Sequence, residues 1–199
     1  MTITENTAPT ALAGNDPLSA ELLQSVVDVA RAIFGAAASS VFLLDEDSWE
    51  LVFQAISGQG ERTLVGRRFP AGSGIAGWVV TSGEAMVVDD LSHNRAFDRD
   101  IAESTEYVPD SLMAAPLVHG ERVLGVLEVL DPTPQSRSNL NELDLLALFA
   151  RQAAAALRVV VERHEAARAL QRRAGVDPDQ QANARRLMES LQKLLDGTE

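Results

Sequence analysis

At 199 residues, with 46% hydrophobic and 23% charged side chains, the chain is long enough to bury one core of ordinary size and too apolar to be disordered. Its 29 acidic residues outnumber 17 basic ones, and the net charge of -12 repels nucleic-acid phosphates and anionic lipid surfaces, arguing against both as partners. Without cysteine, disulfides, thiolate nucleophiles, thiolate metal sites and thioether cofactor attachment are chemically unavailable.

Residues 1–17 carry no Lys or Arg and no apolar run of signal-peptide length, and read as a flexible polar lead-in. Asp16-Pro17 opens a helix in which Leu22, Val26, Val29 and Ile33 recur at steps of three and four, a stripe that predicts its buried face. The pattern ends near Phe34-Gly35. Residues 40–44 and 51–56 are short β-prone runs around a polar Asp45-Glu46-Asp47-Ser48, which predicts a hairpin. An extended piece follows at residues 67–69. The spacing then predicts two helical turns over 75–80, stopped by Ser82-Gly83, and a further extended piece at 86–88.

Residues 89–110 form a long polar stretch, with a short helix expected at 99–104; a loop of this length in a compact domain usually has a functional role. Residues 112–118 and 123–130 predict a second hairpin with a four-residue loop, His119-Gly120-Glu121-Arg122, and Pro116 marks an irregularity or an edge in its first strand. A long helix is expected from Asn139 to about residue 173. Residues 175–178 interrupt it, and a final amphipathic helix carries Leu187, Leu191 and Leu194. The most apolar late run, 147–161, is broken by Arg151 and Arg158 and is too short to span a membrane, so the expected location is the cytoplasm.

The segment GSGIAG at residues 72–77 has the letters of a dinucleotide-binding fingerprint. That fingerprint acts only after a buried parallel strand, and here the strands are joined by hairpins, which make an antiparallel sheet. The glycines are therefore assigned to a tight turn, with Ser73 as the helix cap.

Taken together, the hairpin start SSVFLLDED, the segment RRFPAGSGIAGWVVTSGEAMVVDD, the stretch LSHNRAFDRDIAESTEYVPDSLMAAPL and the closing GERVLGVLEVLDP resemble a GAF domain over residues 18–158. The resemblance implies an α+β fold. Its central antiparallel sheet of five to six strands carries the terminal helices on one face, and a small-molecule pocket lies under a lid on the other. It also implies a sensory or regulatory role, signalling through the terminal helices to a partner protein. The expected ligand-binding residues are Ile56 and Ser57 at the end of the second strand, Ile75, Ala76 and Trp78 on the roof helix, Phe97, Asp98 and Thr105 in the lid, and Met113 and Glu128 on the sheet.

The match departs from the family's better-known ligand classes. Members that bind cyclic nucleotides carry a Phe-Asp pair where this chain has Ile56-Ser57, and of the matching lid positions Asp98, Ala102, Thr105 and Pro109 only Thr105 is preserved in kind; cyclic nucleotide binding is weakly supported. A covalent bilin and free methionine sulfoxide reductase chemistry both need Cys. Haem-binding relatives place a His near Asp110, where none stands. His93, His119 and His164 have no ligand-like spacing, so neither a metal site nor a cofactor is expected. The segment from Glu84 to Asp110 holds eight acidic residues against Arg95 and Arg99. That field favours a neutral or cationic ligand, or else the acids only solvate a surface lid.

Several positions carry two readings. Glu128 is a carboxylate among Leu124, Val126 and Leu130, either a polar anchor at the pocket floor or an edge residue with its head group in solvent. Trp78 either roofs the pocket or packs in the core. Along the long helix Leu143, Leu146, Ala150, Ala153, Leu157, Val160, His164 and Ala167 approximate a heptad seam, which serves a homodimer, packing on the sheet, or both. The domain plan is a lead-in over 1–17, the sensory domain over 18–158 with its helix extending to about 173, and an amphipathic helix over 174–199. Too few residues follow for a catalytic module, so the chain reads as a stand-alone sensor and not as an enzyme. The competing reading is a dimerisation or docking module that binds no ligand.

Overall fold

The computed structural model describes residues 17–59, 64–92, 94, 107–133 and 141–173. Helix α1 (Pro17–Phe34) begins on a proline, whose missing N–H has no partner to lose in a first turn. Strands β1 (Ala38–Asp45), β2 (Glu50–Gly58) and β3 (Arg68–Pro70) precede α2 (Gly74–Ser82), and β4 (Met86–Val88), β5 (Leu112–His119) and β6 (Arg122–Leu130) follow it. Helix α3 (Glu142–Arg173) closes the described fold. The chain divides after Val161; from Glu162 the helical continuation belongs to a second unit.

The six strands form one sheet in the order β3-β2-β1-β6-β5-β4, antiparallel throughout. The central pair, β1 and β6, joins the first and last of the described strands. Both edge strands are three residues long, and short edges limit pairing with other chains.

Two cores flank the sheet. On one face Leu23, Val27, Ala30 and Phe34 of α1 and Leu146, Ala150, Ala153 and Leu157 of α3 meet Val41, Leu43, Leu117 and Leu127. Each fully buried Leu, Val or Phe among them contributes about 1.5–3 kcal/mol. On the other face Phe42, Leu51, Phe53, Ile56, Leu112 and Val126 meet Ile75, Val79 and Val80 of α2.

Several local details differ from the pattern expected of the sequence. Helix α1 buries Ser19, Leu23, Val26, Val27, Ala30 and Phe34, leaving Val29 and Ile33 at 42% and 36% exposure. Two adjacent stripes satisfy the same period in this helix, and the one bearing Phe34 faces the sheet. The second hairpin closes through Gly120-Glu121 alone, because His119 and Arg122 still pair. Pro116 pairs with Val126 on one side, while β4 reaches only Leu112 to Ala114 on the other, so no ladder bond is lost at its nitrogen.

Two bulges change which residues face which core. The β1–β2 register passes from Val41↔Ala55 to Phe42↔Phe53, leaving Gln54 as the extra residue. Leu51 and Phe53 therefore share the α2 face with Ile56, whereas Ala55 turns to the helical core. In the same way the β5–β6 register skips Leu124, which packs with the helical core while Val126 faces α2. Leu124 thus does not share the face of Glu128. Between these irregularities β1 and β6 approach closely at Gly125, where a Cβ would lie 2.0 Å from the Phe42 carbonyl oxygen.

Candidate functional site

Between the sheet and α2 lies a cavity of about 120 Å³, open to solvent at its mouth. Ser40, Phe42, Phe53, Leu112 and Glu128 form its floor on the sheet, and Ser73, Gly74, Ile75 and Ala76 line it from the start of α2. Phe69, Tyr107 and Pro109 form part of the described wall. Phe42 and Phe53 are cross-strand partners with ring centroids 4.0 Å apart, and Phe69 meets Phe53 edge-on at 5.6 Å.

The roof depends on the GSGIAG segment through packing. The Ser73 N–H donates to the Pro70 carbonyl at 3.0 Å, and the Gly77 N–H donates to the Ser73 carbonyl at 3.1 Å. A Cβ on Gly77 would stand 2.8 Å from the Ala71 carbonyl oxygen, so this position needs glycine for the helix to lie against the turn before it. Ser73 holds the N-cap position, but its hydroxyl makes no capping hydrogen bond. The helix ends at Gly83, whose N–H donates to the Val79 carbonyl.

Glu128 lies at the centre of the floor. It faces Ser40 on β1 and Ala114 on β5, and β6 is an interior strand, which overturns the edge reading of this residue. The residue is 8% exposed. Burial pushes its carboxyl from the ordinary value of 4.5 up to about 7, and a hydrogen bond from the Ser40 hydroxyl pulls in the opposite direction. A carboxyl in this position passes between neutral and charged forms near physiological pH.

The wall at 107–111 is held by Asp131, just beyond β6. Its carboxylate accepts the backbone N–H groups of Asp110 and Ser111 at 2.9 and 2.8 Å, the Ser111 hydroxyl at 3.2 Å, and the Tyr107 hydroxyl. Burial, and then the Asp131 carboxylate, raise the Tyr107 pKa above the usual phenol value, so Tyr107 remains a donor. Asp131 adopts φ 48°, a left-handed conformation that Asp tolerates better than most residues.

Of the residues expected at the site, Ile56, Ile75, Ala76 and Glu128 line the cavity. Ser57 pairs with Ser39 and lies buried outside it. Met113 packs in the helical core, because its neighbours Leu112 and Ala114 take the opposite face of β5. Trp78 is 41% exposed and neither roofs the cavity nor fills the core: Ile75, Gly77, Val79 and Val80 form the buried side of α2. Phe97, Asp98 and Thr105 lie outside the described residues, as does the helix expected at 99–104. Ser40, Phe42, Phe53 and Tyr107 were not anticipated. Ser40 and Phe42 alternate along β1 toward the face of Glu128, a signal readable once the strand pairing is known; Tyr107 is the only tyrosine in the chain. Among the described residues no three His, Asp or Glu side chains are grouped as a metal would require.

A six-stranded antiparallel sheet with long helices on one face and a covered cavity on the other defines an α+β domain of the kind seen in sensory and regulatory proteins. The family model for "GAF domain" matches residues 19–157, and the chain belongs to that family. It is 30% identical over 91 residues to the "Cone cGMP-specific 3',5'-cyclic phosphodiesterase subunit alpha'" of Mus musculus, an alignment covering 46% of this chain and 11% of that protein. It is 24% identical over 115 residues to the "Probable 3',5'-cyclic phosphodiesterase pde-5" of Caenorhabditis elegans, covering 53% of this chain and 16% of that one. The chain therefore corresponds to a small part of either relative. The GAF domain of a phosphoenolpyruvate-protein phosphotransferase from Coxiella burnetii superposes with a TM-score of 0.64 at 21% identity, over 80% of this chain and 92% of that one. Among the described residues no helix is long and apolar enough to cross a membrane.

Proposed function

We propose that this GAF domain is a sensor that binds a small molecule in the cavity beneath α2, performs no chemistry on it, and passes its occupancy through the terminal helices to a partner protein. The observation that carries this reading is Glu128. A glutamate in an apolar cavity, raised to about 7 by its burial, opposes the stability of the empty fold, and such costs concentrate at functional sites. The described lining supports binding without catalysis: it has no cysteine and no histidine–carboxylate pair. The relatives' names refer to cyclic nucleotides, yet no Lys or Arg in the described lining is available to meet a phosphate. Native mass spectrometry and a thermal-shift screen against a broad metabolite library test the proposal. A retained or stabilising small molecule is expected, and the absence of both across the library would overturn the reading.

Helix α3 favours a second role beside the first. The anticipated seam residues Leu146, Ala150, Ala153 and Leu157 are spent on the fold's own core. Leu148 and Val159, 52% and 65% exposed, lie on the opposite side of the helix. A homodimer would use that outer side.

A further inference from the structure

We infer that the cavity selects an organic cation, with an ammonium group against the Glu128 carboxylate and an apolar body along the Phe42 and Phe53 rings. The inference rests on the cavity being a small-molecule site, as proposed above, and adds the chemical class of its ligand.

The first argument comes from the ionic inventory of the walls. Glu128 and Tyr107 are the titratable groups among the described lining residues, and β1, β2, β5, β6 and α2 contribute no Lys, Arg or His to it. The other polar side chains, those of Ser40, Ser73 and Gln59, are neutral. An anion placed here meets a buried carboxylate with no cation among the described lining residues to offset it. A neutral ligand leaves that carboxyl protonated or desolvated without a counter-charge. A cation supplies the missing charge.

The second argument is the position of the aromatic rings. Ser40 is the direct cross-strand partner of Glu128, and Phe42 is the next residue along β1 on that face, which makes Phe42 and Glu128 diagonal neighbours at roughly 7–8 Å. Phe53 packs against Phe42 from β2, the two rings tilted at 44° to each other. Aromatic faces carry negative potential and attract ammonium groups within about 6 Å of the ring centroid. Carboxylate and rings thus converge on one side of the cavity. The first turn of α2, with its N–H groups at the positive end of the helix, lies on the roof and suits the ligand's own acceptor atoms.

Isothermal titration with three probes of similar shape tests this: phenethylamine, 2-phenylethanol and 3-phenylpropionate. At pH 8 the amine is expected to bind at least tenfold more tightly than the alcohol, with the propionate the weakest. Glu128→Gln should erase the amine's advantage over the alcohol. A second arm needs no variant. Between pH 8 and pH 5.5 protonation of Glu128 should weaken amine binding at least about fivefold, toward the affinity of the alcohol, with Tyr107 protonated throughout. If the alcohol or the propionate binds as tightly as the amine, the cation assignment is overturned while the cavity remains a binding site. If none of the three gives heat at millimolar concentration, the assignment also falls, and the metabolite screen alone decides whether the cavity is a site.

Discussion

Replacing Glu128 by glutamine should remove a specific pH dependence from the stability of the ligand-free protein. A carboxyl whose folded pKa lies above its unfolded value binds more protons when folded, over the pH range between the two. Folding is then favoured at low pH, and the advantage is lost as pH rises from about 4.5 toward 7. With those two values, wild type should lose about 2–3 kcal/mol relative to Glu128→Gln between pH 5 and pH 8. Other acidic residues titrate equally in both proteins, so the difference between them isolates this group. Urea denaturation of each at the two pH values, analysed by linear extrapolation, measures it. The glutamine variant should be the more stable protein at pH 8. A stability difference between the two proteins that is the same at both pH values would show that Glu128 does not carry a raised pKa, and the account of the cavity floor would fail with it.

Gly125→Ala should destabilise by more than about 3 kcal/mol, since its Cβ would overlap the Phe42 carbonyl and force the two central strands apart; loss of a cooperative thermal transition would register it. Asp131→Ala leaves two backbone N–H groups without their acceptor and should cost about 2–3 kcal/mol, whereas Tyr107→Phe should cost about 1 kcal/mol. Hydrogen exchange at Asp110 and Ser111 should accelerate in the first variant and hardly change in the second. For α3, the double variant Leu148→Glu with Val159→Glu should leave the melting temperature of the domain within a few degrees while light scattering shows a dimer becoming a monomer. A wild-type monomer at micromolar concentration, or a dimer that survives both changes, would refute the outer-face interface.

Much of the architecture was legible because its signals are local. The β-prone runs at 40–44 and 51–56, the proline that starts α1 and Ser82-Gly83 at the end of α2 each act over a few residues. What sequence could not supply was orientation. Gln54 and Leu124 are bulged, and each shifts the alternation by one residue, so Ile56 reaches the cavity and Leu124 leaves its face. No residue type announces these shifts; they emerge from three strands pairing at once. Helix α1 offered two stripes of equal period, and only the sheet chose between them. Glu128 was visible as an anomaly, but its burial depended on β6 lying between β1 and β5, which is a fact of topology. Trp78 misled for a related reason: a large aromatic beside a glycine-rich turn suggests burial, yet the helix rotates so that Ile75, Val79 and Val80 cover the sheet.

The pairing of β1 with β6 also governs when the site comes into being. The Ser39 hydroxyl donates to the Glu128 carbonyl across 89 residues of sequence, and Ser40 faces Glu128 in the same pairing. At ribosomal rates of about 5–20 residues per second, β1 waits roughly 4–18 seconds for its inner partner to be synthesised. Throughout that interval the run Val41-Phe42-Leu43-Leu44 lacks its β6 partner and presents an unpaired apolar edge, and Phe42 within it later floors the cavity. A truncated product ending before β6 would lack the carboxylate entirely. The proposed ligand site therefore needs β1 and β6 both made and paired, and a binding test of it doubles as a test of that pairing.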